Sequence, residues 1–294
     1  MDLKTRQAYP LELKVAMSKR RIREWYKHYH GDVYVAFSGG KDSTVLLDLV
    51  RSEYPDVKAL FVDTRIEFPE IRRFVRGIKN VVWYKPKMPF HKVTEKYGYP
   101  VISKMVSMAI QRFRTTKKER VRNYRLNGEI DPVTGKKKIV GTIPKKWHKL
   151  AKEAPFKISE QCCTVLKKQP FKQFEKETGL KPYVGTMATD SLNRRMRFQS
   201  RECNIYDGGT PQSNPLAFWN ETDIWEYIAR NDLEYSDIYN KGYHNTGCVS
   251  CLFGIHLEGK PNRFDLLKET HPKYYDYCMN KLGYREILKF IGVN

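Results

Sequence analysis

The chain is short of acidic residues: 33 Asp and Glu stand against 54 Lys and Arg, a formal net charge of +21 over 294 residues. A small anionic nucleotide does not require so much positive charge, whereas a polyanion such as RNA or DNA would exploit it. The sequence also lacks any apolar run near the ~18 residues of a membrane helix. Its start, Met1-Asp2-Leu3-Lys4-Thr5-Arg6, lacks the apolar block of a signal peptide. Both absences point to a cytoplasmic protein with no membrane partner. Cysteine is scarce, six residues in all, and in a reducing compartment these read as ligands or free thiols rather than disulfides. There is no internal repeat and no low-complexity linker. Hydrophobic content of 40% still suffices for a core, and the length suits one large α/β domain or a domain with a small appendage.

What is present is organised around Val33-Tyr34-Val35-Ala36-Phe37-Ser38-Gly39-Gly40-Lys41-Asp42-Ser43-Thr44. The apolar run reads as a buried strand, and Ser43 to Val50 carries apolar residues at helical spacing. Ser38 to Ser43 therefore sits where a strand meets a helix N-terminus, which presents free N–H groups and the positive end of the dipole to an anion. Gly39 and Gly40 let the backbone approach closely. Lys41 adds a point charge suited to phosphate, and Asp42 inside an anion site suggests help with magnesium. The spacing is not the Walker pattern, which needs Gly, four residues, then Gly-Lys-Ser/Thr. It resembles the pyrophosphate loop, or PP-loop, of enzymes that split ATP between its α and β phosphates.

A helix is expected over 10–29, with Leu11, Val15, Ile22 and Trp25 on its apolar side. Strands follow at 58–62 and 81–84, separated by a helix from Pro69 to about 78. Strand–helix–strand at this spacing means a parallel sheet with right-handed crossovers, and such sheets bind ligands beyond the carboxyl ends of their strands. Asp63 falls there, as a second magnesium or ribose contact or as a helix cap. A fourth strand is expected at 182–186. It leads to Arg194, Arg195 and Arg197, which read as an anion clamp or a plain charged surface. Asn220 or Thr222 can cap a helix running through Trp225 and Tyr227.

From Lys104 to Lys149 the composition shifts. Fourteen Lys and Arg face Glu119, Glu129 and Asp131, a net +11. Asp131-Pro132-Val133-Thr134-Gly135 reads as a hairpin tip between strands at Tyr124-Arg125-Leu126 and Lys138-Ile139-Val140. Phe113, Tyr124 and Trp147 interleave with the basic residues, a composition suited to single-stranded or looped nucleic acid; a solvated insertion is the alternative. The segment 262–290 is expected to be helical, with Tyr274, Tyr277, Cys278 and Leu282 inward. The expected organisation is an N-terminal helix (1–30), a nucleotide-binding domain (31–103 with 151–256), the basic insertion and a helical extension (257–294).

Four cysteines form an adjacent pair, Cys162 and Cys163, and a Cys-x-x-Cys pair, Cys248 and Cys251. The spaced pair can bind one metal centre. An adjacent pair is unusual for structural zinc, while a [4Fe-4S] cluster offers a separate iron to each thiolate. The expectation is therefore an iron–sulfur cluster, with Zn2+, or buried or redox thiols, as the alternatives. Cys203 and Cys278 read as core residues.

Taken together these motifs resemble the phosphoadenosine phosphosulfate (PAPS) reductase family of the adenine nucleotide α-hydrolase-like, or PP-loop, superfamily. Asp63-Thr64 followed by Phe68-Pro69-Glu70 is similar to the family's Asp-Thr-Gly…Phe-Pro-Glu-Thr segment. Asn214-Pro215-Leu216 with Trp219, Asp223, Trp225 and Tyr227 is similar to its Pro-Leu…Trp…Asp-Val-Trp-x-Tyr block. Cys162-Cys163 with Gly247-Cys248-x-x-Cys251 resembles the four-cysteine signature of bacterial adenylylsulfate (APS) reductases. The resemblance implies a doubly wound parallel α/β sheet of Rossmann type, ATP with Mg2+ or a sulfonucleotide on the loop, a [4Fe-4S] cluster, and a sulfur or electron donor. Three departures stand out. The reductases' Glu-Cys-Gly-x-His motif is absent from this sequence; the loop keeps the lysine the reductases have usually lost; and Arg65 replaces the family's usual glycine. These favour cleavage of ATP to AMP and pyrophosphate to activate an acceptor for sulfur transfer. Reduction of APS or PAPS, with Cys278 as nucleophile, and a non-catalytic nucleotide- and nucleic-acid-binding module remain the alternatives.

Overall fold

In the computed structural model, which describes residues 2–200, 203–207 and 209–293, the apolar runs form the strands their composition calls for. β1 (Val33–Ala36), β2 (Lys58–Val62) and β3 (Val81–Tyr84) pair in parallel, Val35 beside Ala59 and Leu60 beside Val82. β4 (Lys181–Val184) flanks the other edge of β1, with Val35 opposite Tyr183. β5 (Asn204–Ile205) and β6 (Gln212–Ser213) complete the order β3-β2-β1-β4-β6-β5, in which only the β5–β6 pair is antiparallel. The chain runs outward from β1 to β3 and returns beside β1 as β4. The direction of winding therefore reverses next to β1, where the Ser38–Ser43 loop begins, and a doubly wound sheet binds its ligand at that reversal.

The chain divides into two compact units. The first is Met1–Asp63, Glu67–Lys85 and Pro170–Thr246; the second is Thr64–Ile66, Pro86–Gln169 and Gly247–Asn294. Met1 and Asn294, which end the first and last expected segments, lie outside the described residues. The expected nucleotide-binding segment is shared between the units: its loop is in the first, its four cysteines in the second.

In the first unit, Tyr34, Leu60 and Phe174 form a buried cluster over which Val82, Tyr84, Phe171 and Leu180 pack. Full burial of a side chain such as Leu60 contributes about 1.5–3 kcal/mol. The helix Leu11–His28 buries Leu11, Lys14, Ser18, Ile22 and Trp25, one stripe at helical spacing. Two of these five are polar and were not expected inside. Lys14 Nζ donates to both oxygens of Asp223 at 2.8 and 2.7 Å. Ser18 Oγ donates to the Pro215 carbonyl and accepts from Trp219 Nε1. Asp223 also closes the capping box with Asn220 that starts the helix Glu221–Arg230, so Asn220 rather than Thr222 is the cap.

The second unit is mostly helical, with Val101–Ile102 paired in parallel to Leu252–Phe253. It contains the whole basic insertion. The expected strand at Tyr124-Arg125-Leu126 is instead helical, within Glu119–Asn127. Gly128, at φ +73°, ends that helix, leaving room only for a short hairpin of Glu129–Ile130 with Lys137–Lys138. Asp131 Oδ1 accepts from the amides of Val133 and Thr134 at its tip. Arg114 is structural, because its guanidinium donates to the carbonyls of Leu150, Ala151, Ala154 and Phe156. Phe113 is likewise buried and unavailable for stacking on a base. Towards the C-terminus Cys278 and Leu282 are inward as expected, but Tyr277 is 38% exposed and Tyr274 only half-buried. Among the described residues no helix is long and apolar enough to cross a membrane.

Candidate functional site

The phosphate loop is held by contacts within its own turn and with the helix that follows it. Gly39 has φ +73°, and a Cβ there would stand 2.7 Å from Val75 Cγ2 and 2.9 Å from Ile71 Cγ2, so both conformation and space require glycine. The Ser38 amide donates to Ser43 Oγ at 3.2 Å and the Gly40 amide to Ser38 Oγ at 3.3 Å. Gly40 is the N-cap of the helix Lys41–Glu53 and offers no side chain to its first turn. The Lys41 amide donates instead to the Tyr239 hydroxyl at 2.8 Å, the kind of position an anion oxygen takes at a helix N-terminus.

Lys41 is buried. Its Nζ donates to the His244 carbonyl at 3.0 Å and lies 3.2 Å from Glu221 Oε1 and 3.8 Å from Asp42 Oδ1. It also sits 5.4 Å from the Tyr239 ring centroid and 6.0 Å from that of Trp225. Burial pulls its pKa down, but Asp42, Tyr239 and Glu221 more than offset this and leave it above the ordinary lysine value. Tyr239 and Glu221 escaped the sequence reading. The signal was there for Glu221, an acid beside the Asn220 cap, but nothing local ties Tyr239 to a loop almost 200 residues earlier.

Asp42 is the anomalous group. Its Oδ1 is buried with no hydrogen-bond partner. Burial pushes its pKa up to about 6, with Asp190 and Glu221 adding to the rise and Lys41 and Arg194 opposing it. An orphaned carboxylate oxygen beside a phosphate-type loop fits a hard cation carrying phosphate, so the residues present suit Mg2+ with a nucleotide. Asp63 is buried and accepts from Arg72 Nη2 at 2.9 Å. Arg194, Arg195 and Arg197 lie exposed on the helix Leu192–Ser200. Arg194 pairs with Asp190, and Arg197 lies 6.0 Å from the Phe198 ring centroid.

In the second unit all four cysteines, Cys162, Cys163, Cys248 and Cys251, line one cavity of about 30 Å³ with Ile66, Phe90, Pro100 and Leu166. A π-helical turn, Thr164–Lys168, follows Cys163 directly, a local distortion common at functional sites. The Cys251 amide donates to the Cys248 carbonyl, and Tyr284 donates to Ser250 O at 2.6 Å, holding the second pair's turn. Cys162 Sγ lies 4.0 Å from Cys163 Sγ. Donation from Cys162 lowers the Cys163 pKa below the ordinary thiol value, helped by Lys104, Lys167 and Lys168 against burial. Burial raises Cys251 to about 11. Four soft thiol donors in an apolar pocket suit a thiolate-bound metal centre, although among the described residues no three His, Cys, Asp or Glu side chains are close enough together to form an ion cage. Cys278 is buried away from solvent and its thiol is pushed up to about 12, which opposes a nucleophilic role.

In the insertion, Tyr124 and Trp147 are half-buried, with Arg125 5.7 Å and Lys146 5.2 Å from their respective ring centroids. Cation and ring thus alternate there as the sequence suggested.

The model of the phosphoadenosine phosphosulfate reductase domain matches residues 32–121 and, overlapping them, 90–252. An uncharacterized protein of Methanocaldococcus jannaschii is 24% identical over 288 residues, 94% of this chain and 54% of the relative. A second protein of that organism is 26% identical over 89% of this chain and 43% of its own length. The chain thus spans about half the length of these two relatives. An adenosine 5'-phosphosulfate reductase of Lysinibacillus sphaericus is 24% identical over 78% of this chain and 77% of its own. Among solved structures, a U34-tRNA thiolase of Methanococcus maripaludis with its [4Fe-4S] cluster covers 96% of this chain and 82% of its own, at 16% identity and a TM-score of 0.41.

Proposed function

Since the chain belongs to the phosphoadenosine phosphosulfate reductase domain family, we propose that it binds ATP, splits it to AMP and pyrophosphate, and so activates an acceptor for sulfur transfer, the acceptor being a nucleic acid. The observation that carries this reading is the loop Ser38–Ser43 with the buried Lys41 beside the orphaned Asp42 Oδ1. A sulfonucleotide has no β-phosphate leaving group and needs neither that lysine nor a magnesium ligand.

The pyrophosphate of ATP rests on the loop amides, with the Tyr239 hydroxyl giving up the Lys41 N–H and the Lys41 ammonium turning to the phosphates. Asp42 holds Mg2+, which neutralises phosphate charge. An acceptor oxygen attacks the α-phosphorus, the bond from that phosphorus to the bridging oxygen breaks, and pyrophosphate leaves with its charge met by the loop. A sulfide-level sulfur nucleophile then attacks the carbon or phosphorus that carried this oxygen, and AMP leaves with the oxygen attached. Arg194, Arg195 and Arg197 supply positive charge for the adenylate, and Asp63 a ribose or second magnesium contact. Cys162, Cys163, Cys248 and Cys251 hold an iron–sulfur cluster, which when bound supplies a redox-active centre or a sulfur site. The insertion at 104–149 carries the charge that docks a polynucleotide, and the protein works in the cytoplasm.

Reduction of APS or PAPS by an outside thiol is the second reading, favoured by relatives that bear the APS reductase name. The two separate in one assay of anaerobically purified protein, with and without bulk tRNA or DNA. AMP release stimulated by the polymer supports activation; intact ATP with sulfite formed from APS or PAPS overturns it.

A further inference from the structure

The basic insertion exposes its apolar residues in one place. Ile130, Val133, Ile139 and Val140 are all exposed, and Val133 and Val140, at 91% and 79%, are the most exposed large apolar side chains among the described residues. They belong to the hairpin of Glu129–Ile130 with Lys137–Lys138 and its flanks. The rings of the insertion are less open, since Phe113 is buried and Tyr124 and Trp147 are half-buried. Scattered exposed apolar residues need no explanation, but a group on one short element marks a contact surface.

The hairpin is held in shape by hydrogen bonds. Besides the Asp131 side chain at its tip, the Gly135 amide donates to the Asp131 carbonyl and the Asp131 amide to the Lys136 carbonyl, both at 2.9 Å. The Tyr124 hydroxyl donates to the Val140 carbonyl and Arg125 to that of Gly141, which ties the returning arm to the helix Glu119–Asn127. The acids of the hairpin are engaged, Glu129 by Arg120 and Asp131 by Lys138. Lys136 and Lys137 are exposed and enter no ion pair among the described residues. Ile130 stands opposite Lys137 in the ladder, so an apolar and a cationic side chain share one face. A net +11 over 104–149 would face itself in a pair of copies, which opposes that partner. The adjoining helix carries Arg120, Arg122, Asn123 and Asn127, not the apolar face that a membrane surface asks for.

We infer that this hairpin is an apolar wedge for a folded polynucleotide strand. Val133 and Ile130 enter a step where stacking is already interrupted, at a loop or a stem–loop junction, and Lys136 and Lys137 take the flanking phosphates. Apolar side chains insert between base steps at an unstacking cost that is least where the base is already unpaired. The inference rests on the nucleic-acid acceptor of the reading above and adds which feature of that polymer is recognised.

The test uses the full chain with a stem–loop of RNA, and of DNA, that carries 2-aminopurine at the junction, and with the same label inside an uninterrupted duplex. Binding should raise the fluorescence of the junction label severalfold and leave the duplex label dim. Val133→Ser combined with Ile130→Thr should abolish that rise and weaken stem–loop binding about tenfold. The salt dependence should stay as it was, since no phosphate contact is lost. Lys136→Gln combined with Lys137→Gln should lower the salt slope by about two and keep the rise in whatever remains bound. All four side chains are exposed, so unfolding temperatures should match the wild type. Binding without the rise, or a rise that survives the apolar substitutions, overturns the inference and leaves the nucleic-acid reading standing; no binding to either polymer overturns both. Self-association, or capture by phosphatidylserine vesicles, that the apolar substitutions abolish assigns the hairpin to another partner and also overturns the inference.

Discussion

The phosphate loop and the thiol cavity are equally conspicuous as motifs, yet they are built from different parts of the chain. The loop has its glycine conformation, its hydroxyl contacts and its lysine in place, with Lys41 held by the His244 carbonyl and Glu221. The thiols share a cavity but form no ion cage among the described residues. The difference follows from what each site needs. An anion seat is made of backbone amides and a helix end, which the strand–turn–helix geometry supplies by itself. A thiolate-bound centre needs side chains that different elements bring together, here Cys162 and Cys163 with Cys248 and Cys251.

The contrast breaks most visibly at Lys41. Lys41→Ala should lower ATP cleavage by about 10²–10³, as removal of one oriented charge from a transition state does, with thermal unfolding little changed; full activity in the variant would remove the loop from the chemistry. Next is the brace behind the loop. Lys14→Ala leaves Asp223 buried without its cation and should cost about 3–5 kcal/mol in a urea titration. It should also loosen the helix Glu221–Arg230 that carries Glu221 and Trp225 toward Lys41; a loss under ~1 kcal/mol would mean water reaches the pair.

On the thiol side, Cys248→Ser should bleach a brown anaerobic preparation and lower the unfolding temperature. The wild type should lose the same stability on removal of its iron, since the centre's binding energy is folding energy. A colourless wild-type protein with stoichiometric zinc would reassign the cavity to zinc. The smallest effect is in pH. The fold holds the Asp42 proton more tightly than the unfolded chain, so this group's contribution to stability declines as pH rises from its ordinary 3.8 to about 6 and is level above. Magnesium–nucleotide affinity should run the other way, rising through the same interval as the carboxylate forms. Calorimetric titration at pH 5 and pH 7 checks it, and Asp42→Asn should flatten the difference.

Much of the first unit could be read from the chain. The apolar runs at 33–37 and 58–62 are strands buried almost throughout, the run at 81–84 is a half-buried edge strand, and Gly39 is where only glycine fits. Two things were not legible. Lys14 and Ser18 lie on the buried stripe of the first long helix because their polar atoms are matched inside by Asp223, Pro215 and Trp219; burial of a polar side chain depends on a partner some 200 residues away. Tyr239 was passed over for the same reason. In the second unit the error was local: helix and hairpin both suited 124–126, and the left-handed Gly128 decided between them.

The account stands most directly on which bond of ATP is cut. Phosphorus NMR of ATP incubated with the anaerobic protein, Mg2+ and the polynucleotide that stimulates it should show AMP and pyrophosphate rising together, with neither in Lys41→Ala. ADP and inorganic phosphate, or untouched ATP while APS yields sulfite, would contradict it.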